Sequence, residues 1–183
     1  MDTIQKIIKG CLQGRKKDQY RLYALYADKM FAICLRYAAN HDEAQDVLQE
    51  AFIKVFENLK TYKGKGSLEG WIRRIVVNTA IEKYRKNMYH LSLDDMVYEK
   101  IEINNRDYGT DMLHAKDILA FVQKLPVQYR LVFNLYALEG FSHKEIGKML
   151  RISESTSRSN LTRARMILKE ELSKESEILL RVI

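Results

Sequence analysis

The segment 155–163 carries Ser155, Thr156, Arg158, Ser159, Thr162 and Arg163, side chains that can hydrogen-bond base edges or phosphates. At helical spacing they fall on the first turns of one helix, the part that a helix laid in a major groove uses for reading. A second set combines cations with aromatic planes. Arg74, Asn78 and Arg85 share a helical stripe with Arg73 and Lys83 beside it, Lys63 and Lys65 precede them in a loop, and Tyr62, Trp71 and Tyr84 lie close by. Cations track phosphates while aromatic rings stack unpaired bases at roughly 1–3 kcal/mol each, so this set suits single-stranded nucleic acid. Trp71 also fits the buried period of its helix. Asp46, Gln49 and Glu50, at i, i+3 and i+4, project acceptors from one patch of an otherwise basic region, either as a plain solvated face or as a dock for a basic partner. Nothing points to catalysis. His41, His90, His114 and His143 are scattered, and HExxH, GxSxG and a phosphate-cradling glycine loop are all missing from the sequence. No cofactor, no metal and no catalytic residue is expected.

The elements that must position these groups are helical. One proline and eight glycines in 183 residues are too few turn-formers for a many-stranded sandwich or barrel, and 46% hydrophobic residues suffice for one mid-sized domain or two small ones. Asp42 followed by Gln45 reads as an N-cap box, after which Val47, Leu48, Ala51, Phe52, Val55, Phe56 and Leu59 recur at helical spacing. An earlier helix, about 18–39, offers Leu22, Leu25, Tyr26, Ile33 and Leu35 as its partner face. After the turn TYKGKGS a third helix, about 68–84, turns Trp71, Ile72, Ile75, Val76 and Ala80 inward. Together they predict a small bundle.

Towards the other end, Leu125-Pro126 starts a helix with proline in its first turn, and Gly140 ends it. Ser142-His143-Lys144-Glu145 is a capping box for a short helix with Ile146 and Leu150 inside. Arg151-Ile152-Ser153 turns into a longer helix, about 154–172, with Leu161, Ala164, Ile167 and Leu168 as its core positions. Short helix, brief turn and longer polar helix make a helix-turn-helix pattern, for which a simple packed hairpin is the other reading.

Charge marks the boundaries. Residues 1–90 hold 17 basic and 10 acidic side chains, residues 91–113 hold 2 and 6, and residues 114–183 hold 12 and 8. The acidic block lacks a sustained period and contains Asn104, Asn105, Gly109 and Asp111, so it reads as a flexible linker between domains 1–90 and 114–183. The net charge of +7 favours a polyanionic partner. Cys11 and Cys34 make neither a disulfide framework nor a metal pair, and no segment has signal-peptide or membrane-spanning character. The expectation is a soluble cytoplasmic protein with reduced thiols and no membrane insertion.

Three strings, HDEAQDVLQEAFIKVFENL, GSLEGWIRRIVVNTAIEKYRK and LPVQYRLVFNLYALEGFSHKEIGKMLRISESTSRSNLTRARMIL, resemble the extracytoplasmic-function sigma factors of bacterial RNA polymerase in order and spacing. The resemblance implies an all-α fold of two small helical domains, the second a helix-turn-helix. It implies a promoter-specificity factor that works with core RNA polymerase on promoter DNA and is held by an anti-sigma factor. By it, Asp46, Gln49 and Glu50 dock on the polymerase. Lys63, Lys65, Trp71, Arg73, Arg74, Asn78 and Arg85 read and melt the minus-ten element. Ser155, Thr156, Arg158, Ser159, Thr162 and Arg163 read the minus-thirty-five element. The acidic linker would suit the polymerase's positively charged channel, or serve as a spacer. The other functional reading is a polymerase-independent helix-turn-helix regulator. Ser157 stands where the family usually has valine and Gly147 where it has alanine, which predicts a looser or shifted helix pair. Gln45, in place of a common glutamate, weakens the acidic patch.

Overall fold

A computed structural model describes residues 3–90 and 120–182, and the linker assigned to 91–113 lies outside the described residues. Among the described residues there is no strand, in keeping with an all-α protein. The chain divides into two units, Met1–Ile101 and Glu102–Ile183.

In the first unit, α1 (Thr3–Leu12) ends where Gly14, at φ 73°, lets the Arg15 N–H reach back to the Gly10 carbonyl and the Gly14 N–H to that of Cys11. That pair of bonds is the glycine-terminated helix end that only a residue tolerant of positive φ closes cheaply. Helix α2 (Lys16–Tyr37) follows and buries Leu22, Ala27, Met30, Ile33, Cys34 and Tyr37. Leu25, expected on this face, is instead 51% exposed, because the buried stripe advances from Leu22 through Ala27 to Met30 and turns Leu25 outward.

Helix α3 (His41–Asn58) is capped by Asn40, not Asp42 as expected. The Asn40 side chain accepts from the Glu43 N–H at 2.8 Å while the Glu43 carboxylate accepts from the Ala39 N–H, so two otherwise unpaired donors are met reciprocally. Its buried face, Ala44, Val47, Leu48, Ala51, Phe52 and Val55, follows the expected period. The Phe52 ring meets Tyr23 of α2 edge-on at 4.7 Å. A 3₁₀ turn (Leu59–Thr61) buries Leu59 and leads through a glycine-containing loop to α4 (Leu68–His90), which runs past the expected end at Tyr84. Ile72, Val76, Val77, Ala80 and Ile81 of α4 are buried, each at roughly 1.5–3 kcal/mol for the larger aliphatics.

In the second unit, residues 120–124 are helical and carry the buried Phe121 and Val122. Pro126 sits at the N-cap of α5 (Val127–Phe133), one place before the first turn, and the helix widens into a π turn over Asn134–Leu138. Gly140, at φ 76°, closes it as expected, with the Phe141 N–H bonded to the Leu135 carbonyl at 2.9 Å. Both arms of the Ser142/Glu145 capping box are formed at the start of α6 (His143–Leu150). Arg151 then takes the left-handed conformation, φ 57°, and Ser153 caps α7 (Glu154–Val182) by accepting from the Thr156 N–H at 3.0 Å. Helix α7 runs ten residues beyond the expected end at Leu172. Leu125, Leu131, Val132, Leu135, Ile146, Leu161 and Ala164 form the core.

Candidate functional site

On α3, Asp46 and Gln49 are exposed and Glu50 half-buried along one stripe. The stripe continues into Ile53, which is 58% exposed. Sequence reasoning missed this residue; its signal is an apolar side chain one turn past Gln49 and Glu50, outside the buried period. The carboxylates are already engaged within the unit. Lys83 of α4 bonds Asp46 at 3.0 Å, while Lys54 bridges Glu50 at 2.9 Å and Glu82 of α4 at 2.7 Å. Burial alone would lower the Lys54 pKa, but its hydrogen bonds to Glu82 and Glu50 outweigh it and hold the ammonium above its ordinary value. Lys83, expected beside the cationic stripe of α4, therefore faces α3.

The remaining cations are divided between loop and helix. Lys63 and Lys65 are exposed in the loop before α4, Arg74 and Asn78 are exposed on α4, and Arg73 and Arg85 are half-buried. Gly64 and Gly66 both have positive φ, and the loop between them and α4 is tied by the Tyr62 hydroxyl donating to the Gly66 carbonyl at 2.9 Å. The Tyr62 ring lies against Trp71, centroids 5.6 Å apart at 48°. Trp71 is half-buried, partly in the core as its period implies and partly open to solvent. Ser67 accepts from the Gly70 N–H and starts α4 at this point, while Lys29 of α2 holds Glu69 at 2.9 Å. The two aromatic planes and the flanking cations are thus set on backbone that is hydrogen-bonded in place.

On α7, Ser155, Thr156, Arg158, Ser159, Thr162 and Arg163 are all exposed. Several are pre-arranged. The Ser153 hydroxyl shares hydrogen bonds with those of Ser155 at 2.8 Å and Thr156 at 2.7 Å, and Arg158 pairs with Glu154 at 2.5 Å. Ser159 and Thr162 donate to the carbonyls of Thr156 and Arg158, and Arg163 donates to the Tyr129 hydroxyl of α5 at 3.0 Å.

Ser157 and Gly147, expected to loosen or shift the helix pair, each make a defined contact. Ser157 is fully buried and its hydroxyl hydrogen-bonds the His143 Nδ1 at 3.0 Å, while the His143 ring stacks on Tyr136 at 4.5 Å. Desolvation, then the nearby Arg158 guanidinium, lowers the His143 pKa. A Cβ on Gly147 would lie 2.8 Å from the Ile152 carbonyl oxygen, so glycine permits the close approach of the turn, whose Ile152 N–H bonds the Gly147 carbonyl at 3.0 Å.

Among the described residues no group of His, Cys, Asp or Glu is placed to hold a metal. Cys11 and Cys34 are buried free thiols, pushed up by burial to about 11 and about 12. Such thiols are poor nucleophiles. No helix among the described residues is long and apolar enough to cross a membrane.

Two surfaces in the first unit and one in the second are thus carried by separate helical frames. Residues 22–88 match Sigma-70 region 2, and residues 115–168 match Sigma-70, region 4. The chain belongs to the extracytoplasmic-function sigma factors. This sigma factor is 31% identical over 158 residues to the ECF RNA polymerase sigma factor SigE of Mycolicibacterium smegmatis, spanning 82% of the present chain and 60% of that relative. It is 27% identical over 180 residues to SigW of Bacillus subtilis, spanning 92% and 96%. In fold it is similar to the sigma factor RpoE solved in complex with the anti-sigma factor NepR from Bartonella quintana, with TM-score 0.57, 24% identity, and 86% and 98% of the two chains covered. Membership of this family places the protein in promoter-directed transcription, a role that calls for no catalytic group.

Proposed function

We propose that this sigma factor binds core RNA polymerase and directs initiation by recognising two promoter elements, with domains at 1–90 and 114–183 joined by the linker 91–113. On this reading Asp46, Gln49 and Glu50 dock on a basic surface of the polymerase, with Ile53 as the apolar contact among them. Lys63, Lys65, Arg73, Arg74, Asn78 and Arg85 guide the minus-ten strand, and Trp71 beside Tyr62 receives an unstacked base. Unstacking costs a few kcal/mol, which stacking at roughly 1–3 kcal/mol per base and hydrogen bonds to the base edge can offset. A ring pair already held by the Tyr62–Gly66 bond loses little side-chain freedom on binding. Helix α7 reads the minus-thirty-five duplex with Ser155, Thr156, Arg158, Ser159, Thr162 and Arg163.

The observation that carries this reading is the exposure of all six of those polar side chains on the helix that region 4 matches, behind a well-capped turn. An anti-sigma factor is a further partner on the same reading, supported by the similarly folded sigma factor RpoE solved with the anti-sigma factor NepR, and a cytoplasmic location goes with it. Run-off transcription with core polymerase, with and without this protein, tests the proposal. Promoter-dependent transcripts that need both components support it. Tight duplex binding by the isolated chain with no effect on core would favour the polymerase-independent regulator instead.

A further inference from the structure

The two arginines at the exposed start of α7 are held in chemically different ways. Arg163 donates to the Tyr129 hydroxyl, which sets no opposing carboxylate beside it. Arg158 is paired with a carboxylate, Glu154, on the adjacent turn of the same face, with the side chains 64% and 46% exposed. A guanidinium paired in this way is a weaker phosphate ligand, because an approaching phosphate also meets the Glu154 carboxylate. It remains a good reader of bases. The pair sets N–H donors beside a carboxylate acceptor, and a G·C pair in the major groove sets the guanine N7 and O6 acceptors beside the cytosine N4 donor.

We propose that Glu154 is a specificity-determining residue of α7, which turns Arg158 from a phosphate contact into half of a composite reader for a G·C pair, with Arg158 on guanine and Glu154 on the cytosine amino group. The proposal rests on the reading of α7 as the duplex-contacting helix. Ser153, which caps α7 and shares hydrogen bonds with Ser155 and Thr156, fixes the turn from which Glu154 projects. Removing the Glu154 charge therefore frees Arg158 for phosphate.

The test uses holoenzyme assembled from the full chain and core polymerase, on a promoter library randomised in the upstream element and on non-promoter duplex across a salt series. Glu154→Gln is expected to lose about tenfold of its preference for G·C at one position. Its binding to non-promoter duplex is expected to tighten, with a salt slope steeper by about one. Glu154→Asp keeps the charge and should keep the wild-type slope. A carboxylate that merely stabilised the first turn of α7 would change melting temperature and leave both preference and slope alone. Unchanged preference and slope in Glu154→Gln, while Arg158→Ala loses the upstream footprint, overturn the proposal alone. If Arg158→Ala also keeps that footprint, the duplex reading of α7 falls and the proposal with it.

Discussion

Lys83 occupies the acidic patch from within, and its removal should strengthen docking. Its ammonium bonds Asp46 at 3.0 Å, and a cation from a partner adding to the far side of that carboxylate would sit at twice this distance, about 6 Å away. Two unit charges at that separation repel by about 0.7 kcal/mol at the dielectric of water and about 2.8 kcal/mol at the effective value of 20 for a protein surface. A Debye length of about 8 Å at physiological salt roughly halves this, to about 0.3–1.3 kcal/mol. Lys83→Gln should therefore raise affinity for core polymerase about two- to ninefold, with a steeper salt dependence, while losing under about 1 kcal/mol of folding stability for a partly exposed pair. Fluorescence titration of labelled protein with core at several salt concentrations measures this. In an Asp46→Asn background the same substitution should have a much smaller effect, since the carboxylate that joins the two cations is gone. Lower affinity in Lys83→Gln would refute the reasoning, by showing that Lys83 orients Asp46 for its partner more than it competes with that partner.

Charge reversal at Asp46 and Glu50 to Lys should abolish capture of core while leaving the helical circular dichroism intact; normal capture would remove the patch from the interface. Ser157→Ala leaves the His143 Nδ1 without its buried partner and should cost about 1–3 kcal/mol, read as a lower melting temperature, whereas the double change His143→Leu with Ser157→Val should be close to neutral. Because the folded His143 pKa lies below its ordinary 6.5, the unfolded chain binds this proton more readily; its contribution to stability is complete above pH 6.5 and declines as pH falls below it, and His143→Gln should remove that part of the pH dependence. Gly147→Ala forces a Cβ against the Ile152 carbonyl and should destabilise by about 1–3 kcal/mol in thermal unfolding, a wild-type melting temperature being the contrary result.

Local signals carried most of the fold. The stripe from Val47 to Val55 is apolar at every buried position, so α3 could be read directly, and Gly140 and the Ser142/Glu145 box mark ends whose chemistry is confined to four or five residues. The Asn40 cap was harder, because Asp42 with Gln45 satisfies the same short pattern and the difference lies in where the Glu43 carboxylate reaches. Exposure of the α7 polar face follows from period, and so is legible. The ion pairs of Lys83 with Asp46 and Lys54 with Glu82 are not, since they join positions 37 and 28 apart and depend on how α3 crosses α4.

The least legible feature concerns how α7 is anchored. Taken singly, a serine in an apolar helix seam and a glycine within a short helix each argue for looseness, by an unpaired hydroxyl and by backbone entropy. In the fold each answers a need created elsewhere. The histidine that opens α6 supplies the Ser157 hydroxyl with a partner and packs its own face on Tyr136, while Gly147 admits the Ile152 carbonyl as the chain leaves the left-handed Arg151 turn. Substitutions that weaken a seam when considered one at a time thus form a connected polar and steric fit, and a buried polar pair satisfied in one geometry favours that geometry over slipped alternatives. The start of α7, where Glu154 and Arg158 sit, is held by this fit and by the Ser153 cap, so its exposed side chains are presented from a fixed base.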